Sequence, residues 1–355
     1  MNWKSGDFLA ARDLKNTNRP VRVEDVARVA GVSPITVSRA LSYPEKVKEE
    51  TRKKVADAVA QTGYVVNSFA SSLRSGRSSI ITVFVSSLLN PHFATSMQGL
   101  VDAVEGSRYH LMFAQTGYSE MLETDVVSSV LPFRPAGVVF TGVVRSDSTR
   151  QSLQRLGIPI MEMWGNRPDP IDMLIAFSNH ESGRLMGDHL GRNGYRRIGY
   201  SGHTIERGAE RIAGLEEGLA LHGARLVKVV PMEGTRQIPD GVAAFDTFRA
   251  ETPEVDAIFF GTDILASGAV LRALELGLDI PGDVAIAGNG DLDFTGHMRP
   301  TLTTIHIPSY EMGFEAGRML LRRLSGQPVD EPVQLHPVAL MVRQSTERTV
   351  AAKNG

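Results

Sequence analysis

The sequence predicts a two-part protein: a small all-α helix-turn-helix domain, followed by a two-lobed α/β core of parallel, doubly wound sheets. The first observation is that residues 21–64 show only helical periodicity, interrupted by glycine and proline. The second is that short apolar runs alternate with helical stretches from residue 80 onward, which is typical of βαβ units. The third is the length of 355 residues, which exceeds the size of one ordinary domain and argues against one continuous core.

Three short helices are predicted in the N-terminal part. They span residues 24–30, 34–41 and 48–62. Gly31 ends the first helix because glycine tolerates left-handed backbone dihedral angles. Ser33 and Pro34 begin the second helix, one as a capping hydroxyl and the other as a first helical residue that needs no N–H donor. A tight turn therefore joins two helices, and a third helix supports them, which is the helix-turn-helix pattern.

The longer C-terminal part alternates strands and helices. Strands are predicted over residues 80–85, 110–114, 137–141, 158–163, 197–200, 257–260 and 284–288. Helices are predicted over residues 93–105, 181–192 and 265–276. Parallel strands joined by helices carry helices on both faces of the sheet, and two similar lobes accommodate this number of strands better than one open sheet does.

Charge is distributed unevenly along the chain, although the net charge is only −2. Residues 1–77 hold 14 Lys and Arg against 8 Asp and Glu, a net charge of +6, which leaves −8 for residues 78–355. A small cationic module on an acidic body favours an anionic partner for the first part. Nucleic acid is the leading candidate.

Composition and motif content exclude several classes of protein. With 42% hydrophobic and 22% charged residues, the chain has ordinary globular composition. No apolar run reaches the ~18 to 20 residues of a membrane span, and the N-terminal region lacks the apolar stretch of a secretory signal, so we expect a cytoplasmic protein that contacts no membrane. The chain has no cysteine, no metal-ligand spacing and no nucleotide-binding motif, so no metal or cofactor is expected.

The first two predicted helices carry a resemblance to a known family. Residues 23–41 (VEDVARVAGVSPITVSRAL), with LTTI at residues 302–305, resemble the lactose-repressor/galactose-repressor (LacI/GalR) family of bacterial transcription regulators. The resemblance implies a DNA reader, a hinge helix and a core similar to periplasmic sugar-binding proteins, acting as a homodimer or tetramer on a pseudo-palindromic operator in double-stranded DNA. The short polar end of the chain favours the dimer.

The resemblance and the periodicity together give the expected organisation of the chain. We expect a flexible tail over residues 1–20, the helix-turn-helix domain over 21–66, the hinge helix over 67–77, the effector-binding and dimerisation core over 78–345, and a second tail over 346–355. Within the core, the first lobe takes residues 78–177 and 306–335, and the second lobe takes residues 178–305 and 336–345.

The second predicted helix supplies the candidate contacts to the major groove. Its apolar positions face the module core, which leaves Pro34, Ile35, Thr36, Ser38 and Arg39 for DNA. Arg39 suits a bidentate contact with guanine, worth ~1 to 3 kcal/mol of discrimination, whereas the two hydroxyl residues suit phosphates. A solvated surface base is the alternative for Arg39. In the hinge helix, the resemblance implies minor-groove contacts by Asn67, Ala70, Leu73 and Arg74.

A pair of arginines marks the candidate effector site. Arg207 and Arg211 are four residues apart on one predicted helix, so both guanidinium groups lie on one face and can share a carboxylate or phosphate. The resemblance implies that Arg211, within RIAGL, holds effector hydroxyl or carboxylate groups. For Arg207, a surface pair with Glu206 or Glu210 is the alternative.

Two departures from the sugar-binding members of the family indicate an acidic effector. Those members present an aspartate where this chain has Gly290, and an asparagine where it has Thr262. A lost carboxylate and an added arginine both favour an anion. Because residues 160–164 and 288–294 also resemble the gluconate-utilisation subgroup, we expect gluconate or a related sugar acid. The remaining candidate contacts are His92, Phe93, Glu162, Trp164, Thr262, Asp263, Asn289 and Asp291; for Trp164, ordinary packing is the alternative.

The expected function is a sequence-specific DNA-binding transcriptional regulator that represses sugar-acid (gluconate-type) catabolic genes and leaves its operator when the effector binds. Three alternatives fall within the same class of regulator: a phosphosugar effector, a neutral-sugar effector, or a corepressor. A sugar-acid binding receptor and an enzyme on the same scaffold are the rivals from other classes. The basic N-terminal module argues against the receptor, and the lack of a nucleophile, cofactor or metal constellation argues against the enzyme.

Overall fold

The computed structural model describes residues 19, 21–65, 78–232 and 237–348 and divides the chain into two units, Met1–Ser78 and Ser79–Gly355. In the first unit the helices are α1 (Val23–Ala30), α2 (Pro34–Ser42) and α3 (Glu49–Thr62), with a 3-10 helix at Pro44–Lys46. Gly31 adopts a φ of 66° after α1, and the Ser33 hydroxyl accepts a hydrogen bond from the Thr36 N–H at 3.1 Å. The predicted glycine stop and serine cap are therefore confirmed.

The apolar faces of these three helices meet in a small core. Each helix contributes two buried apolar side chains, and the set comprises Val26, Ala27, Val37, Ala40, Val55 and Ala58. Of the α2 side chains whose burial the structure describes, only Val37 and Ala40 are buried, so much of the helix surface is open to solvent.

Two six-stranded sheets form the second unit. The first sheet comprises β1 (Ile80–Val85), β2 (His110–Gln115), β3 (Gly137–Phe140), β4 (Ile160–Met163), β5 (Met173–Phe177) and β11 (Val333–His336), in the order β11-β5-β4-β3-β1-β2. The second comprises β6 (Arg197–Gly202), β7 (Arg225–Pro231), β8 (Ala257–Phe260), β9 (Ala285–Gly290), β10 (Thr303–His306) and β12 (Ala339–Met341), in the order β12-β10-β9-β8-β6-β7. Neighbouring strands are parallel except for β10 and β12.

Helices cover both sheets. They are α4 (Pro91–Val104), α5 (Glu120–Val130), α6 (Asp147–Leu156), α7 (Asn179–Arg192), α8 (Arg207–Ala220), α9 (Ile238–Glu251), α10 (Asp263–Glu275) and α11 (Ser309–Leu324), with 3-10 helices at Leu131–Phe133, Asp293–Gly296 and Gln344–Thr346. The first lobe is the first sheet with α4, α5, α6 and α11, and the second lobe is the second sheet with α7 to α10. The predicted fold class, a helix-turn-helix domain with a two-lobed parallel α/β core, is confirmed.

The chain passes between the two lobes three times. It crosses from β5 to α7, from β10 to α11, and from β11 to β12. The last strands of the chain therefore complete both sheets: β11 is an edge of the first sheet and β12 is an edge of the second.

Each lobe contains a pair of helices that approach each other backbone to backbone. Between α7 and α8, a Cβ atom at Gly183 would lie 2.0 Å from the carbonyl oxygen of Arg211, and one at Gly214 would lie 1.9 Å from that of His180. Gly313 of α11 makes an equally close approach, of 1.8 Å, to a carbonyl oxygen of α4. Larger residues at these positions would force the helices apart, because backbone atoms cannot rotate away.

Candidate functional site

The exposed side of α2 carries the predicted major-groove residues. Pro34, Ile35 and Arg39 are exposed, with 70% of Ile35 open to solvent, while Thr36 and Ser38 are half-buried. The three exposed side chains are therefore accessible to a partner molecule.

The predicted minor-groove residues cannot be placed in the same way. Asn67, Ala70, Leu73 and Arg74 lie outside the described residues. Their contacts with the minor groove therefore stay a prediction.

A cavity of about 190 Å³ lies between the two lobes of the second unit. The strand order reverses at β1 in the first sheet and at β6 in the second, and open α/β sheets bind ligands at the carboxyl ends of strands at such a reversal. The segments that follow β1, β6, β8 and β9 all contribute to the cavity wall. Its position thus follows from the topology of the sheets.

Aromatic side chains of the first lobe form one wall of the cavity. The Trp164 ring centroid lies 5.3 Å from that of Phe93 and 5.8 Å from that of Phe177, both in edge-on contact, and 6.0 Å from that of His92. The indole N–H of Trp164 donates to the Ser96 hydroxyl at 3.3 Å. Trp164 therefore lines the cavity and also packs in the core, and its φ of 70° places a bulky residue in strained backbone next to the cavity.

Arg211 is a buried cation without a carboxylate partner among the described residues. Its side chain donates to the side-chain Oδ1 of Asn179 at 2.5 Å, to the Tyr200 hydroxyl at 3.3 Å and to the backbone oxygen of Gly261 at 3.4 Å. All three acceptors are neutral, and the Nε–H group has no hydrogen-bond partner within the described chain. Burying a guanidinium group without a counter-ion is costly, so this arrangement favours an anion in the cavity.

Further cations lie beside Arg211. Arg207, half-buried one turn earlier on α8, forms no ion pair with a described carboxylate; burial lowers its pKa, and nearby Arg145 and Arg211 lower it further. Arg145, from the first lobe, donates to both carboxylate oxygens of Glu206 at 3.1 and 3.3 Å. Among the described residues that line the cavity there are therefore three arginines and one carboxylate, that of Glu206.

Neutral polar atoms complete the cavity wall. The side-chain N–H₂ of Asn179 and the side-chain oxygen of Asn289 are buried and have no hydrogen-bond partner in the described chain, and the same holds for Nε2 of His92. Both donors and acceptors are therefore present beside the arginines, and hydroxyl groups can satisfy either kind. The cavity can bind a small anion that also carries hydroxyl groups.

Seven of the ten predicted effector residues line this cavity: His92, Phe93, Trp164, Arg207, Arg211, Thr262 and Asn289. Glu162 does not. Its carboxylate is fully buried and accepts hydrogen bonds from the backbone N–H groups of Val144 and Ile171 at 2.8 and 2.7 Å. Because its oxygens hold two loops of the first lobe, Glu162 is a structural residue here and our placement of it at the cavity wall is corrected.

Asp263 and Asp291 are also absent from the cavity wall. The Asp263 carboxylate accepts from the Thr304 hydroxyl at 2.6 Å and from the Leu292 N–H at 2.8 Å, and burial raises its pKa to about 6. The Asp291 carboxylate accepts from Arg343 at 2.7 Å and lies 3.0 Å from Nδ1 of His306. Both acids tie the loop after β9 to neighbouring elements, so the structure places them behind the cavity wall.

Comparisons with known proteins identify both parts of the chain. The sequence profile of bacterial regulatory proteins of the lacI family matches residues 22–67, and that of the periplasmic binding protein-like domain matches residues 187–346. The HTH-type transcriptional regulator GntR of Pseudomonas aeruginosa is 32% identical over 339 residues, which covers 94% of this chain and 98% of that protein. The chain belongs to the LacI family.

Solved structures of other LacI-family proteins match most of the chain. A LacI-family regulator from Silicibacter pomeroyi matches with a TM-score of 0.86 and 28% identity, covering 93% of this chain and all of that one. The lac repressor dimer bound to operator and the anti-inducer ONPF matches with a TM-score of 0.78 and 25% identity, over 92% and 99% of the two chains. Other relatives are named PurR and catabolite control protein A. This LacI-family chain is therefore a DNA-binding transcriptional regulator, and its relatives are regulators rather than enzymes.

Sequence reasoning missed several residues of the cavity in this LacI-family regulator. Asn179, which bonds Arg211, begins α7 two residues after the end of β5, a five-residue strand that was not among the predicted ones. A polar residue after a buried apolar run was the signal that could have found it. Arg145 and Glu206 meet across the two lobes, a contact that spacing along the chain does not indicate.

The described ranges of this LacI-family chain lack two further features. None of their helices is long and apolar enough to cross a bilayer. Nor do they contain a group of three or more His, Asp or Glu side chains arranged to hold a metal ion.

Proposed function

We propose that this regulator represses sugar-acid catabolic genes and that gluconate, or a related sugar acid, releases it from its operator. The observation that carries the proposal is Arg211, a buried guanidinium group whose described partners are all neutral, with Arg207 beside it as a second cation. A carboxylate supplies the counter-charge that such a site needs. The relative named GntR supports a gluconate-type regulator, whereas the relatives named PurR and catabolite control protein A indicate that the effector varies within the family.

The proposed effector contacts divide by chemistry. Arg211 and Arg207 hold the carboxylate, because two guanidinium groups on one helix face match its charge and its two oxygens. The unpaired side-chain groups of Asn179 and Asn289 bind hydroxyl groups, and the aromatic wall of Phe93 and Trp164 packs against the carbon chain.

The proposed mechanism couples this site to DNA. Residues 21–66 read the major groove, the hinge helix over residues 67–77 enters the minor groove, and residues 78–345 bind the effector and form a homodimer. The effector changes the closure of the lobes and so the spacing of the two hinges, which requires that it bind the two states unequally. A coupling free energy of about 1 to 3 kcal/mol is typical for such regulators.

Release by gluconate is the first measurement that tests the proposal. We expect D-gluconate to weaken binding of the full-length protein to DNA from the upstream region of its own gene by about 5- to 150-fold, the range that such a coupling free energy gives. Fluorescence anisotropy of labelled DNA at fixed salt measures this, because phosphate contacts make the affinity depend on salt.

Control titrations with two further ligands make the outcome decisive. D-glucose has no carboxylate and leaves the affinity for DNA unchanged if the arginines select an acid. Release by D-glucose 6-phosphate alone would replace the sugar acid by a phosphosugar, and tighter DNA binding with gluconate would make the effector a corepressor. DNA binding that ignores all three ligands would contradict the proposed effector class.

Arg39→Ala tests the proposed reading of the major groove. We expect the variant to lose about 1 to 3 kcal/mol of discrimination at one operator position in each half-site, because a bidentate contact with guanine is lost. Competition binding with operators substituted one base pair at a time measures this. Lys54→Ala is the matched control, since Lys54 is an exposed cation of α3 that pairs with Glu50. An unchanged base preference in Arg39→Ala would refute the reading role.

A further inference from the structure

Gly290 and His92 meet across the cleft beside the cavity. Gly290 ends β9 in the second lobe with a φ of 140°, a backbone conformation that residues with a side chain rarely adopt. A Cβ atom at Gly290 would lie 2.0 Å from Nε2 and 2.4 Å from Cε1 of His92, which belongs to α4 of the first lobe. The imidazole ring of one lobe thus fills the space that a side chain at position 290 of the other lobe would occupy.

The contacts of Ser309 favour one tautomer of His92. Its Nδ1 atom lies 3.2 Å from the Ser309 hydroxyl oxygen, and that hydroxyl donates its hydrogen to the backbone oxygen of Ile307 at 3.2 Å. While the Ser309 hydroxyl donates its single hydrogen to Ile307, its oxygen can only accept from His92, and this arrangement places the proton on Nδ1. Nε2 is then a bare acceptor.

The surroundings keep the His92 ring neutral. Burial and the nearby charge of Arg211 lower the pKa of His92 to about 4. At neutral pH the ring therefore carries no charge, and its Nε2 acceptor has no hydrogen-bond partner in the described chain. A ligand hydroxyl is the simplest group that can satisfy this acceptor without adding charge.

We infer that His92 and Gly290 act as a pair that selects an effector carrying a negative charge together with a hydroxyl group, the hydroxyl being recognised by Nε2 of His92. The inference rests on the proposed function, in that it assigns the specificity of the same cavity. The pair places an uncharged acceptor where an acidic side chain at position 290 would otherwise stand.

The alternative of an acid at position 290 shows why the pairing matters. The Cβ position of residue 290 lies 3.2 Å from a carboxylate oxygen of Asp263, which is itself buried. An aspartate there would place a second carboxylate beside that of Asp263, nearer the cavity, and would repel an anionic ligand from Arg211. Glycine with a neutral histidine keeps the hydrogen-bond acceptor and leaves out the charge.

Two variants of the full-length protein test the pair by isothermal titration calorimetry with D-gluconate, D-glucose and D-glucose 6-phosphate. His92→Leu keeps a side chain of similar bulk and removes the acceptor, and we expect it to weaken gluconate binding about tenfold. The double variant His92→Ala with Gly290→Asp replaces the neutral acceptor by a charged one. We expect it to weaken gluconate binding about 100-fold while glucose binds at least as tightly as to the unaltered chain. His180→Leu, on the surface of α7, is the matched control and leaves all affinities unchanged.

A second readout does not depend on affinity. The ¹⁵N chemical shifts of the His92 ring report which nitrogen is protonated, and we expect protonated Nδ1 and bare Nε2 at neutral pH, with the Nε2 resonance shifting when gluconate is added. A proton on Nε2 in both the free and bound protein would overturn the inference. So would gluconate affinities of the two variants equal to that of the unaltered chain.

Failure of the proposed function looks different from failure of this pair. If the unaltered protein binds D-glucose 6-phosphate but not gluconate, the sugar-acid assignment falls, and the same variants then test the pair with the phosphosugar. If the unaltered protein binds gluconate but both variants bind it equally well, the proposed role of His92 and Gly290 is refuted and the sugar-acid assignment is retained. If neither anion binds, both proposals are overturned.

Discussion

Arg211→Ala is expected to abolish the response to gluconate while operator binding stays intact. The substitution removes the buried cation of the cavity together with its unpaired Nε–H, so the effector carboxylate has no charged partner at the wall it would occupy. Truncating one side of a buried charged contact costs about 3 kcal/mol, so we expect the dissociation constant for gluconate to rise about 100-fold. Titration calorimetry with gluconate and anisotropy with operator DNA measure the two properties on the same protein.

Two further variants distinguish the loss of positive charge from a general loss of structure. Arg211→Lys keeps the positive charge but loses the planar fork that reaches Asn179 and Tyr200, and we expect an intermediate loss of affinity. Arg192→Ala, an exposed arginine of α7 that pairs with Asp188, serves as the matched control. Release of Arg211→Ala from DNA at the gluconate concentration that releases the unaltered protein would contradict the assigned site.

Gly214→Ala is expected to have the largest effect on stability. Its new methyl group would lie 1.9 Å from the carbonyl oxygen of His180, and only separation of α7 and α8 can relieve that contact. Overpacking of this kind costs about 3 kcal/mol, because neither backbone can rotate away. For a unit of this size we expect the midpoint of thermal unfolding to fall by about 6 to 12 °C. Differential scanning calorimetry of the full chain measures it.

Gly296→Ala is the control for this prediction. A Cβ atom at Gly296 meets nothing within 4 Å, and its φ is not in the left-handed region, so the same chemical change adds no contact. Its unfolding midpoint should equal that of the unaltered chain or exceed it slightly, because alanine reduces the freedom of the unfolded state. Equal midpoints for Gly214→Ala and Gly296→Ala would show that the two helices can separate at no cost.

The sequence predicted the helix-turn-helix unit more completely than the core. In that unit the signals are local: Gly31 and Ser33 each act on the helix beside them, and both lie where the pattern placed them. The core contains elements whose signals are weak. β7, β11 and β12 have mostly half-buried or exposed side chains, so no continuous apolar run marks them. Strands at the edge of a sheet are expected to be hard to recognise for this reason.

The cavity shows the same limit at the level of single residues. Arg207 and Arg211 were predicted because their spacing on one helix carries the signal. The acids at 162, 263 and 291 have the residue type of a ligand contact, and only the hydrogen bonds to Val144, Thr304 and Arg343 reveal that they hold loops instead. Chemistry at the carboxyl ends of strands is predictable from sequence, whereas the direction in which a carboxylate points depends on long-range contacts.

The three crossings between the lobes set the order in which the protein can be completed on the ribosome. Helix α4 is made early, but α11, whose Gly313 packs against it, is made much later. At about 5 to 20 residues per second, the roughly 200 residues between Val104 and Ser309 take about 10 to 40 s to synthesise. Throughout that time the face of α4 that receives α11 has no native partner. The first lobe emerges first, but it is completed only after every strand and α-helix of the second lobe except β12 has been synthesised. We therefore expect the nascent first lobe to be most prone to aggregate during this interval.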